Sequence, residues 1–427
     1  MARVTVDLNV LRENRDLRLL ILGELFSGLG AQAALVAIPF QVYVLTHSAA
    51  LVGLLGIAEL GPIIVCSLLG GAIADRVDDR RRLMLFGQAL VMAAATALAI
   101  GAFAGSPPVP LIFVLAAALA GGSTVDNITR SAVIPALAGN RLRAALSLNY
   151  GLYQVAAVVG PGLGGIVIAW LGVGAAFAID AAGFLLMIGV TLALPKLPPA
   201  PTDTEHPPIL QSIAEGLEFV RRKQALLGSF AIDLVAMTFG MPRALFAVLA
   251  LTVFDAGASG TGLLYAAVSA GATIAALTTG WVEHARWIGR IVIGAVLAWG
   301  AAITLAGLMP TIWLAAFCLA LAGAADSISA VCRSIINQSV TPEAMRGRMS
   351  ATFTLVVTSG PRLGDLESGI AASLTTASIA VVSGGLACIA GVFVVMAGFP
   401  ALAAFDGRRE TVAQGDVVES VKTSVEL

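Results

Sequence analysis

Long apolar runs separated by short charged breaks set the pattern of this chain. The runs fall at 17–44, 49–75, 81–103, 110–138, 144–170, 173–194, 224–252, 259–283, 288–309, 311–340, 345–373 and 376–400. About 20 apolar residues suffice for a helix to cross a bilayer, so the pattern predicts twelve transmembrane helices, spans 1 to 12, in an all-α membrane protein. The first run is too long for a signal-peptide core and no small-residue cleavage site follows it, so span 1 is expected to be retained.

Composition agrees with the pattern. Hydrophobic residues make up 58% of the 427-residue chain and charged residues 12%, against about 25% charged in soluble domains. All but four of the 25 Lys and Arg residues lie before or at the start of span 1, in or within one turn of the connections after spans 2, 4, 6, 8 and 10, or in the tail. The positive-inside rule then places both termini in the cytoplasm. The four cysteines (Cys66, Cys318, Cys332, Cys388) all fall within apolar runs, where they serve as small buried hydrophobes rather than disulfide or metal ligands.

The chain divides into a six-span half at 1–194, a linker at 195–223, a second six-span half at 224–403 and a polar tail at 404–427. The linker opens Pro-rich, as a semi-rigid spacer does. It then places Ile209, Ile213, Leu217 and Val220 at helical spacing before Arg221, Arg222 and Lys223. Such an amphipathic helix suits either the cytoplasmic membrane surface or a solvated linker. The tail composition predicts disorder.

The halves look duplicated. Gly160-Pro161-x-Leu163-Gly164 in span 5 matches Gly360-Pro361-x-Leu363-Gly364 in span 11, and Asp126 in span 4 matches Asp326 in span 10. Gly53 and Gly71 of span 2 correspond to Gly262 and Gly280 of span 8. Duplicated halves imply pseudo-symmetry and a binding site near the midplane between them.

Charges within the runs are the candidate chemistry, because a charge at mid-bilayer is costly and usually faces a cavity or a partner. They are Glu24, Glu59, Asp126, Arg130, Asp180, Asp233, Arg243, Asp326, Arg333, Arg362, Asp365 and Glu367. Asp126 and Arg130 are spaced i,i+4, Asp326 and Arg333 share a face two turns apart, and Arg362 and Asp365 are spaced i,i+3. For these, local pairing and a transport role are both open. Asp233 has Arg243 or nothing as its partner, the two lying about 80° apart around a helix. Glu24 lies close enough to the cytoplasmic face to reach water.

Glu59 has no basic neighbour within a turn. A carboxyl without a partner in apolar surroundings favours its neutral form, which suits a residue that takes up and releases a proton. It is therefore the candidate for proton coupling or cation recognition, against the alternative of a neutral, hydrogen-bonded packing residue.

No phosphate-binding G-x-x-x-x-G-K-[ST] loop occurs, so ATP is not expected as the energy source. His47, His206 and His284 are scattered and make no metal constellation. No cofactor, enzyme activity or nucleic-acid partner is expected. The expected partners are a small-molecule solute, protons and the lipid bilayer.

The connection after span 2 runs Gly71-x-x-x-Asp75-Arg76-x-x-x-Arg80. Together with twelve spans and a long central loop, it resembles the major facilitator superfamily across essentially the whole chain. In that family this hairpin latches against the start of span 11. Asp78 and Asp79 stand here where Gly and Arg are usual. Gly160, Pro161, Gly164 and Gly165 resemble the antiporter motif of exporting branches. THSAALVGLLG, GLMPTIWLAAFCLALAG and TPEAMRGRMS are similar to the enterobactin-exporter branch, which includes multidrug efflux pumps.

The resemblance implies a bacterial cytoplasmic-membrane exporter of a siderophore or amphipathic drug, coupled to protons and working by alternating access. The alternatives are an importer on the same scaffold and a non-transporting sensor or assembly partner.

Overall fold

The computed structural model of the chain describes residues 14–74, 77–105, 107–197, 209–342 and 345–407. Regular elements among these residues are all helical. They are α1 (Arg15–Thr46), α2 (Ala49–Ala74), α3 (Arg80–Phe103), α4 (Val109–Ala138), α5 (Leu142–Leu171), α6 (Val173–Ala193) and α7 (Ile209–Arg222). After these come α8 (Gln224–Phe239), α9 (Leu245–Thr252), α10 (Gly257–Thr278), α11 (Ile288–Leu308), α12 (Ile312–Val340), α13 (Arg346–Leu374) and α14 (Ala377–Gly398), then the one-turn α15 (Pro400–Ala403).

Local chemistry sets the ends. Side chains of Asn14, Asp79, Thr311 and Thr376 cap α1, α3, α12 and α14, each taking a backbone N–H that the first turn leaves free. Gly172, at φ 81°, makes the sharp link between α5 and α6, a backbone conformation that favours glycine.

Ten of the described helices are long and apolar enough to cross a membrane: α1 to α6, α10 to α12, and α14. The other two expected spans fall outside that set for different reasons. Span 7 is not continuous but divides into α8 and α9 at residues 240–244, where Pro242 cannot donate to a helical ladder. Span 11 is the 29-residue α13, made more polar than its neighbours by Arg362, Asp365 and Glu367.

The outer surface is apolar, as a lipid-facing surface must be. Leu277, Leu374 and Val394 are all strongly exposed. Trp170 and Trp313 are exposed at one end of the bundle and Trp281 and Trp287 at the other, in the manner of interfacial aromatic belts. Arg286 and Arg290 stack on the Trp287 ring at 4.8 and 4.4 Å. The amphipathic α7 packs on α13 and α8, burying Val220 and leaving Leu217 exposed.

In the first half, α1 packs on α5 and α6, α3 on α4 and α6, and α2 on α4; in the second, α8 packs on α13 and α14, α11 on α12 and α14, and α10 on α12. The halves meet chiefly through two helix pairs, α2 with α13 and α5 with α10, which join duplicated spans in a pseudo-symmetric way. Glycines permit both contacts. A Cβ at Gly165 would stand 2.6 Å from the Ala258 carbonyl oxygen and 3.0 Å from Gly262 Cα. One at Gly369 would stand 2.6 Å from the Ala49 oxygen and 2.8 Å from Gly53 Cα. Both close approaches lie toward the same end of the bundle, where α2 and α10 begin and α5 and α13 finish.

Candidate functional site

A cavity of about 330 Å³ lies between the halves, lined by Glu59 of α2, Asp180 of α6, Arg243, Tyr265 of α10, and Arg362 and Asp365 of α13, among apolar residues of α1 and α4. A second chamber of about 220 Å³ shares Ala31, Ser123, Asn127 and Phe184 with it and is lined by Glu24, Asp126, Arg130 and Asn149.

The charges form three groups. In the first half, Arg130 on α4 pairs with Asp126 at 3.0 Å and with Glu24 of α1 at 3.6 Å. Gln88 of α3 donates to Asp126 Oδ1 at 2.7 Å, and Thr191 of α6 donates to Gln88 Oε1 at 3.0 Å. In the second half, Arg333 on α12 pairs with Asp233 of α8 and stands 3.6 Å from Asp326. Each half thus has an arginine on its fourth span reaching an acid on its first, beside the duplicated aspartate. The third group bridges the halves. Arg362 Nη1 lies 2.6 Å from Glu59 Oε2 and 3.9 Å from Asp365.

Several expectations change. Glu59 is not isolated, because its partner Arg362 comes from a helix far away in sequence. Arg362 in turn favours Glu59 over the nearby Asp365. Asp233 pairs with Arg333 rather than Arg243. Glu24 faces Arg130 instead of reaching for water, its side chain only 16% exposed. The Asp126–Arg130 and Asp326–Arg333 contacts are present as their spacing predicted. Glu367 is half-buried and lines neither cavity.

Two lining residues gained no role from sequence reasoning. Asp180 is 1% exposed and its Oδ1 has no hydrogen-bond partner. Arg243 sits where span 7 is interrupted. The Gly240-Met241-Pro242 triplet is the sequence signal that could have located this break.

Comparison with known proteins fits this architecture. The chain matches the transmembrane secretion effector family over residues 10–422. It is a major facilitator transporter of that family. It is 31% identical over 92% of its length to the enterobactin exporter EntS of Shigella boydii serotype 4, covering 94% of that protein. The Citrobacter koseri EntS is 30% identical over the same share of both chains.

Solved structures show the same fold. The nucleoside transporter NupG superposes with a TM-score of 0.76 at 13% identity, over 90% of this chain and 98% of that one. A bacterial homologue of the human lysosomal transporter Spinster, inward-facing and unoccupied, gives 0.70 at 13% identity over 93% and 97%. The protein is a multi-pass membrane transporter, not an enzyme.

The family motifs take distinct places in this transporter. The antiporter-like motif on α5 packs in two directions. A Cβ at Gly160 would stand 2.6 Å from Gln32 Cβ, and one at Gly164 2.7 Å from Ala33 Cα, both on α1. Gly165 and the Pro161 carbonyl meet Gly262 across the half-interface. Gly360 and Gly364 likewise abut Met237 on α8, so the duplication extends to packing.

In the hairpin after α2, Asp75 and Arg76 lie outside the described residues; Gly71 belongs to α2 and Arg80 opens α3. The unusual Asp79 is structural. Its carboxylate caps α3 through Arg81 N, chelates the Arg81 guanidinium at 2.7–3.1 Å and accepts from Leu197 N at 3.2 Å. Arg81 Nη1 donates to the Leu194 carbonyl at 2.7 Å, and Arg80 N to that of Leu197 at 3.0 Å. These bonds tie the start of α3 to the start of the linker. The Arg81 hydrogen bonds, aided by the backbone N–H groups, pull the Asp79 carboxyl down to about 2.

Proposed function

We propose that the protein exports a siderophore, or a similarly amphipathic solute, across the bacterial cytoplasmic membrane by proton-coupled alternating access. The observation that supports this reading most is the near-full-length identity to enterobactin exporters. With both termini in the cytoplasm, the glycine contacts of the halves lie at the outer end. The arrangement is then the one closed to the outside, with Glu59 and Arg362 bridging the halves beside the cavity.

Ionised Glu59 holds Arg362, and with it the α2–α13 contact, in place. A solute whose oxygens draw Arg362 away releases that hold and lets the outer end open. Glu59, deprived of its counter-charge in apolar surroundings, is then neutralised by a proton from outside. Neutral Glu59 returns to the inward state and gives its proton to the cytoplasm. Each proton brings about 2.3 kcal/mol per 100 mV of membrane potential. Arg130 with Asp126, and Arg333 with Asp233 and Asp326, hold each half rigid, so that the halves rock as bodies. Asp365 keeps α13 attached to the broken seventh span, and the Gly71, Asp75, Arg76 and Arg80 hairpin acts as the cytoplasmic latch.

Inverted vesicles containing the purified protein test the reading, with an imposed proton gradient and both a labelled catecholate siderophore and a lipophilic fluorescent cation. Gradient-dependent accumulation of the siderophore is expected. Accumulation of the cation alone would make the protein a drug pump, and no movement of either solute would refute the export reading.

A further inference from the structure

The interruption of span 7 exposes backbone groups in surroundings where no lipid can satisfy them. Three side chains from three helices do so. Trp299 of α11 donates Nε1–H to the Gly240 carbonyl at 2.6 Å. Tyr265 of α10 donates its hydroxyl to the Arg243 carbonyl at 3.1 Å. Asp365 of α13 accepts from Ala244 N at 3.0 Å. All three side chains are buried, with 2%, 7% and 7% exposure. The break is therefore a built feature, and its backbone is anchored on both sides of Arg243.

Arg243 lines the central cavity. The other three arginines within the spans, Arg130, Arg333 and Arg362, are each paired with carboxylates. Among the described residues, no carboxylate comes within ion-pair distance of Arg243, and its guanidinium makes no hydrogen bond. Asp326 and Asp365 are engaged by Arg333 and by Ala244 N. Arginine stays charged in any protein environment, and a cation without an ion-pair partner at this depth is costly. Three buried side chains hold the backbone that presents it to the chamber that Glu59 and Arg362 also line.

We propose that Arg243 is a solute-recognition residue. Its guanidinium fork takes a pair of acceptor oxygens on the transported molecule, either a carboxylate or the vicinal oxygens of a catecholate. Planar paired oxygens match the parallel N–H groups of a guanidinium in a way an ammonium cannot reproduce. Arg362 lines the same cavity, so a solute seated on Arg243 is placed to compete with Glu59 for Arg362. The inference deepens the export reading and rests on it for the identity of the solute.

The test uses the purified full-length protein in detergent and labelled 2,3-dihydroxybenzoate, which carries both oxygen pairs, with unlabelled benzoate and catechol as competitors. Wild type should bind the probe. Arg243→Gln should weaken binding at least about tenfold, as loss of a charge-assisted bidentate contact requires, and Arg243→Lys should recover it only in part. Competition by benzoate identifies the carboxylate as the recognised group, and competition by catechol identifies the catecholate. Because the guanidinium holds nothing in the fold and its unpaired charge is costly at this depth, Arg243→Gln should melt no lower than wild type.

In siderophore-loaded vesicles, the same variant should raise the half-saturating concentration. Equal probe binding by wild type and Arg243→Gln, or no probe binding by wild type, would overturn the assignment. Failure of wild type to move siderophore, with probe binding lost in Arg243→Gln, would instead remove the export reading and leave the oxyanion site standing.

Discussion

If the halves rock about the cavity, the glycine contact at one end must exist in only one of the two states. Gly165→Ala is the smallest change that tests this. Its new Cβ would stand 2.6 Å from the Ala258 oxygen and 3.0 Å from Gly262 Cα, where unstrained carbon–oxygen contacts are about 3.3–3.6 Å. Helices α5 and α10 would have to separate by roughly 0.7 Å to restore such a contact. Overpacking of this kind costs about 1–3 kcal/mol. Since the strain arises only when this end is closed, the equilibrium should shift toward the opposite state by about 5–150-fold.

Ser123, which lines both chambers, offers a reporter. In a background lacking the four native cysteines, Ser123→Cys should react faster with a membrane-impermeant maleimide added outside intact cells when Gly165→Ala is present. Gly189→Ala, where a Cβ meets nothing within 4 Å, should leave labelling unchanged. Equal labelling with and without Gly165→Ala, in folded protein, would refute a state-specific contact at this helix pair.

Other outcomes follow from the charged groups. Glu59→Gln replaces a charge-assisted bond by a neutral one, a loss of about 1–2 kcal/mol, and removes the titrating group; gradient-driven transport should collapse while solute counterflow survives. Normal pH-dependent pumping by this variant would exclude Glu59 as the coupling residue. Asp233→Ala leaves Arg333 buried with only Asp326 at 3.6 Å, and should destabilise the second half by about 3–5 kcal/mol, measured as a lower melting temperature in detergent.

Asp79, with its carboxyl at about 2 in place of the usual 3.8, contributes stability that is present above pH 3.8 and lost as pH falls toward 2. Asp79→Asn should flatten that part of the stability–pH curve. Asp79→Ala should cost about 1–3 kcal/mol from the lost cap and the unsatisfied Leu197 N–H.

The sequence by itself determined what depends on neighbours along the chain. Apolar length marked where helices cross, because a bilayer demands internally satisfied backbone over a set thickness. The repeated Gly-Pro-x-Leu-Gly segment announced the duplication, and the spacing of Asp126 and Arg130 foretold their pairing, since residues one turn apart share a helix face. Asp180 and Arg243 were visible as intramembrane charges, and only the Gly240-Met241-Pro242 triplet beside Arg243 marked one of them off from the paired ones.

Tertiary structure decided the rest. Glu59 meets Arg362, and Asp233 meets Arg333, only because helices distant in sequence pack side by side. Local periodicity carries no information about which face of one helix meets which face of another. The same reason hid what makes the interruption of span 7 tolerable: Trp299, Tyr265 and Asp365 arrive from three other helices to receive its orphaned backbone.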